Sequence, residues 1–154
     1  MKYMVSFVLF FLLYGCSTNA IHHDEAKALQ EASIVLNTLY FEKNYQKAYD
    51  MFDEGFKKAY SVKDLEHTVE TLKEGYGKLL KLESDSFQPV AGRRVMVLFF
   101  IGEHGKRRSY HQVTMIGDAN GYKVYGLYVD PEPIKGTNLK QAFKKGKNDN
   151  KKDQ

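Results

Sequence analysis

Seven consecutive apolar residues, Val95-Met96-Val97-Leu98-Phe99-Phe100-Ile101, constrain this chain more than any other stretch. The run is apolar on both alternating faces, which a half-exposed strand would not be, so it predicts a strand in the centre of a sheet. The next two segments alternate. In Arg107 to Ile116, Tyr110, Gln112, Thr114 and Ile116 oppose Ser109, His111, Val113 and Met115; in Tyr122 to Val129, Tyr122, Val124, Gly126 and Tyr128 oppose Tyr125, Leu127 and Val129. Pro89 to Gly92, Gly102 to Gly105 and Gly117 to Gly121 read as turns, and Leu80, Leu82 and Phe87 predict an earlier strand. Turns this short cannot carry helical crossovers, so the strands form an antiparallel meander.

Before residue 80 the apolar period is helical. Leu29, Ala32, Leu36, Leu39 and Tyr40 make one stripe of a first helix, with Asp24 as its cap and Lys43-Asn44 as its stop. Tyr45, Ala48, Tyr49 and Phe52 make a short second helix that Asp53-Glu54-Gly55 ends. Ser61 and Asp64 form a capping box for a third, carrying Leu65, Val69, Leu72 and Tyr76 and ending at Gly75 and Gly77. Two to three helices ahead of a meander of about four strands predict an α+β fold with the helices on one face of a curved sheet. The second face is also aromatic, which points to a protein partner or a homodimer there unless the tail or an early helix covers it.

The start of the chain has the grammar of an export leader: Lys2, then an apolar core through Val5, Phe7, Leu9, Phe11 and Leu13, then Gly15 and Cys16. That core is shorter than the ~20 residues a spanning helix needs. Leu13-Tyr14-Gly15-Cys16 resembles the bacterial lipobox. The resemblance implies cleavage after residue 15, lipidation of Cys16 and attachment to the cell envelope; Ser17 resembles the residue found after the cysteine in lipoproteins sent to the outer membrane. With Cys16 committed to lipid no disulfide forms, and packing of the 11 Tyr and 10 Phe has to stabilise the domain.

The net charge of +4 is unevenly spread. Residues 134 to 154 hold seven lysines against Asp149 and Asp153, and the body of the chain is faintly acidic. This basic tail is expected to be disordered, with one helical turn around Leu139, Ala142 and Phe143, and to contact anionic lipid. It lacks arginine and interleaved aromatics, so nucleic acid is not the expected partner. His22-His23-Asp24 reads as a solvated cap, and no cysteine pair, His-Glu helix motif, phosphate loop or nucleophile elbow stands elsewhere, so no metal or cofactor is expected.

Leu39-Tyr40-Phe41 at a helix end, the restart Asn44-Tyr45-Gln46-Lys47-Ala48-Tyr49 with Phe52, and the closing strand from Gly121 to Tyr128 resemble the cone-shaped nuclear-transport-factor-like superfamily. Its members include ketosteroid isomerase, scytalone dehydratase and small secreted bacterial lipoproteins, and the likeness spans about residues 26 to 130. It implies a cone domain over 24 to 133, between a linker at 16 to 23 and the tail. Catalytic members carry Asp, His or Tyr inside the cone. The resemblance therefore singles out His111, Asp53 and Tyr49, with Tyr110 beside His111, for acid–base work on a small enolisable substrate. Arg93 and Arg94, with Arg107 and Arg108, are expected near one end of the sheet as an anion site. The leading expectation is a non-enzymatic, lipid-anchored binding or assembly protein. The alternatives are an isomerase or dehydratase-like enzyme and a component of a secretion or toxin-immunity system.

Overall fold

A computed structural model describes residues 22–105, 107–135 and 140–143. The leader, Cys16 and the tail beyond 143 lie outside these residues. The fold is α+β. Four helices, α1 (Glu25–Tyr40), α2 (Tyr45–Asp50), α3 (Glu54–Ala59) and α4 (Val62–Tyr76), precede β1 (Lys81–Val90), β2 (Val95–Glu103), β3 (Arg108–Gly117), β4 (Tyr122–Asp130) and the two-residue β5 (Gln141–Ala142). All pairings between these strands are antiparallel, in the order β4-β3-β2-β1-β5, so the apolar run is interior to the sheet. Among the described residues, no helix is long and apolar enough to cross a membrane.

Local chemistry sets the helix ends. Asp24 accepts the Lys27 backbone N–H at the start of α1, and the Ser61–Asp64 box closes the start of α4 in both directions. Lys43, not Asn44, takes the left-handed backbone (φ 52°) after α1; Asn44 caps α2 by accepting from the Lys47 N–H. Asp53 corrects the expected stop. It accepts from the Gly55 N–H and opens α3, a helix that the residue pattern does not announce because a carboxylate shortly before Gly looks like an ending.

Ala28, Ala32, Val35, Leu36 and Leu39 of α1 pack on the inward residues of β2, β3 and β4, including Met96, Leu98, Val113, Met115 and Val124. Two bulges tune this face. One lies between Ser84 and Ser86 on β1; the other sets Gly126 opposite Thr114 but Val124 opposite Met115, leaving Tyr125 unpaired. The second bulge corrects the β4 alternation: Tyr122 and Val124 point inward, and past Tyr125 it is Leu127 and Val129 that share the inward register of Val113 and His111. Pro89 belongs to β1, opposite Met96, where β5 does not reach and no ladder N–H is required.

At residues 140–143 the tail carries a strand and not a helical turn; Leu139 of the expected turn lies outside the described residues. Ala142 and Gln141 pair with Ser86 and Phe87, and Phe143 packs on Phe87 at 5.0 Å between ring centroids. On the outer face Lys140 Nζ sits 3.9 Å from the centroid of Phe99, which is only 6% exposed. The C-terminal segment thus covers the middle of the aromatic face, and Tyr128 remains exposed on the edge strand β4. The four arginines do not gather. Arg93 and Arg94 lie in the β1–β2 turn, and Arg107 and Arg108 stand where the β2–β3 turn enters β3, at opposite ends of a nine-residue strand about 25 Å long.

Candidate functional site

The helices and the sheet leave a space of about 160 Å³ under the end of α1. Tyr40 and Phe41 come from the end of α1, Val69 and Leu72 from α4, Leu79 from the link to β1, and His104, Ser109 and His111 from the β2–β3 hairpin. Most of the wall is apolar. The polar groups stand together along one side.

They form a continuous chain. Tyr40 Oη lies 3.3 Å from His111 Nδ1; His111 Nε2 lies 2.8 Å from Ser109 Oγ; Ser109 Oγ lies 2.8 Å from His104 Nε2; and His104 Nδ1 lies 2.9 Å from the carbonyl of Gly77. Sequence spacing explains half of this. Ser109 and His111 are two apart on β3, so both point inward, where they are 0% and 1% exposed. Backbone geometry supplies the rest. Gly77 ends α4 at φ +88°, a conformation that favours glycine, and its carbonyl is free to meet the hairpin-turn histidine. The Tyr40 and His111 rings meet edge to face at 5.4 Å, and the His104 ring lies against Tyr76 at the same separation.

Burial controls the ionisation of the inner members. It pushes the His111 pKa down to about 4, with the His104 charge acting in the same direction, and it raises the Tyr40 hydroxyl well above its ordinary value. At the mouth, Lys43 and Lys73 both bind Glu70, at 3.1 and 3.0 Å, and hold its carboxyl down to about 2. Among the described residues no Asp or Glu lines the cavity.

Gly102 makes room for the chain. A Cβ there would lie 2.5 Å from Ser109 Oγ and 3.0 Å from both His111 Nε2 and Leu79 Cδ1. Gly102→Ala is therefore expected to cost about 2 kcal/mol, through overpacking and loss of a buried hydrogen bond. Urea unfolding measures the cost. A wild-type midpoint would show that the chain yields freely.

Of the residues singled out by sequence, only His111 reaches the cavity. The single hydroxyl hydrogen of Tyr49 is shared between the carbonyls of Lys57 and Tyr60, and Asp53 caps α3; both serve the α3 end of the molecule. Tyr110 faces the opposite side of the sheet, near Ile134 and Lys140. His111, Asp53 and Tyr49 do not converge; the residues that stand with His111 in the cavity are Tyr40, His104 and Ser109. Arg107 binds the carbonyl of Gly75 and Arg108 lies 3.9 Å from Glu103, so both have partners within the chain. No family model, curated protein or solved structure matches this chain.

Proposed function

We propose that the chain is a lipid-anchored envelope protein, with a nuclear-transport-factor-like cone that holds one small ligand. The cavity carries this reading: an apolar space with its polar groups drawn up along one side is how small-molecule sites fix orientation while apolar walls supply affinity. Its volume suits a molecule about the size of one six-membered ring, since apolar cavities near 150 Å³ are known to take benzene or xenon. The leader supports the anchoring, because an apolar core ending in Leu13-Tyr14-Gly15-Cys16 is what a lipoprotein peptidase and acyltransferase would act on. The order of helices and strands supports the superfamily.

Two measurements test the two halves separately. Xenon is expected to shift the methyl resonances of Val69, Leu72 and Leu79 and to leave those of Val95 and Val97, on the outer face, unmoved; the absence of any selective shift would remove the ligand. Membrane fractionation is expected to show the wild-type chain in the membrane pellet and Cys16→Ala released from it. Full retention of the variant would remove the lipid anchor.

A further inference from the structure

One acceptor fixes the direction of every hydrogen bond from Gly77 to Tyr40. A backbone carbonyl cannot donate, so His104 Nδ1 carries a hydrogen toward Gly77. In neutral His104 the other nitrogen is then an acceptor and takes the Ser109 hydroxyl hydrogen. Ser109 Oγ has no second hydrogen and must accept from His111 Nε2–H, which leaves His111 Nδ1 as the acceptor for the Tyr40 hydroxyl. Tyr40 consequently meets the cavity with an oxygen that only accepts.

A proton gained by His104 reverses the whole series. Each hydrogen moves one place along the chain. The Ser109 hydrogen passes to His104 Nε2, the His111 Nε2 hydrogen to Ser109 Oγ and the Tyr40 hydrogen to His111 Nδ1, while Tyr40 Oη takes the new proton from the cavity. His104, Ser109 and His111 now donate towards Tyr40. The new Tyr40 hydroxyl hydrogen points into the cavity, with one proton gained overall and all four hydrogen bonds kept. His104 is partly exposed at the hairpin turn, whereas buried His111 is held neutral.

Resting on the ligand-binding reading, we infer that the cavity selects by hydrogen-bond polarity. It takes a neutral ring-sized donor of the phenol class while His104 is neutral, and a ring-sized acceptor of the ketone class once His104 is protonated. The charges around the chain do not supply a rival switch. Lys43 and Lys73 at the mouth are tied to Glu70, Lys78 lies on the link after α4, and Arg107 binds Gly75. Tyr76 of α4 lies against the His104 ring, and the Asp130 carboxylate of β4 acts on Tyr76. Because these groups carry charge, with the Glu70 carboxylate held by two lysines and the Asp130 carboxylate acting through Tyr76, neutral probes are required to isolate the Tyr40 hydroxyl.

The test is calorimetric titration of the full chain in detergent with phenol and with cyclohexanone, at pH 8 and at pH 5. Phenol is expected to bind ~5-fold more tightly than cyclohexanone at pH 8 and the order to reverse at pH 5, the factor being that of one net hydrogen bond. Ser109→Ala cuts the chain in its middle and is expected to abolish the reversal. Tyr40→Phe, which keeps the His104–Ser109–His111 segment, is expected to remove the preference at both pH values. If wild-type protein binds both probes with an unchanged order, the polarity switch is overturned while ligand binding stands. If neither probe binds at either pH, both readings fall together.

Discussion

Phe52→Ala is expected to remove about 4 kcal/mol of folding stability, within the range for deleting a fully buried aromatic ring. Phe52 is 0% exposed and stands where the helical half of the chain is fastened to the sheet. Its backbone makes a parallel bridge to Val124, the next N–H donates to the Val124 carbonyl at 2.8 Å, and its ring lies 4.3 Å from that of Phe56. The alanine variant therefore leaves a void and loosens the attachment of α3 at once. Tyr60, stacked on Phe56 but 53% exposed, is the control: Tyr60→Ala should stay within about 0.5 kcal/mol of wild type in urea. Equal losses for the two would show that Phe52 is not the fastening point.

The second large effect is a loss of stability in mild acid. His111 has a folded-state pKa lowered to about 4 by burial and by the His104 charge, against about 6.5 in an unfolded chain. The unfolded state therefore takes up a proton first as pH falls. The stabilising contribution is complete above pH 6.5, declines as pH drops toward 4, and is gone below that. The full change amounts to about 3 kcal/mol for this one group. Glu70 is held down to about 2, and Asp64, Asp118 and Asp130 are also lowered, by hydrogen bonds from Ser61, Asn120 and Tyr128 respectively, so their losses come at lower pH. The interval from 6.5 to 4.5 is thus the window for the buried histidine. Urea midpoints across it should fall for wild type and flatten for His111→Phe; an equally steep fall in the variant would assign the effect elsewhere.

Much of the architecture was legible because hydrophobic period carries it. The seven-residue apolar run could only be an interior strand, and the Ser61–Asp64 box marked its helix correctly. Failures occurred where one residue type serves two opposite purposes. Asp53 ahead of Glu54 and Gly55 reads as an ending, yet the same carboxylate begins α3. The bulge at Tyr125 left no mark in the alternation of β4, and it moved Leu127 and Val129 to the face assigned to their neighbours.

The site was legible only in fragments. Ser109 and His111 announced a shared face by their spacing, and Gly102 directly opposite Ser109 in the β2–β3 register is the signal that space was left for polar atoms. Tyr40 looked like one more residue of an apolar helix stripe, and His104 looked like turn. What joins them is the Gly77 carbonyl, which lies 27 residues from His104 and belongs to a helix end whose position depends on tertiary packing. Tyr49 and Asp53 had the right chemistry on a plausible helix, but their hydrogen bonds are spent on α3.

The pairing of Gln141 and Ala142 with β1 bears on how the chain is made. As the chain emerges N-terminus first, whether from the ribosome or from an export channel, the helices and the four longer strands come out before Lys140 to Phe143. Until that segment arrives the edge of β1 is free and Phe99 is uncovered on the outer face. An unpaired edge beside an exposed aromatic is the form most prone to joining a neighbouring chain. The nascent protein is therefore most vulnerable in the interval between the completion of β4 and the arrival of Phe143, when a holding chaperone would have the most to protect.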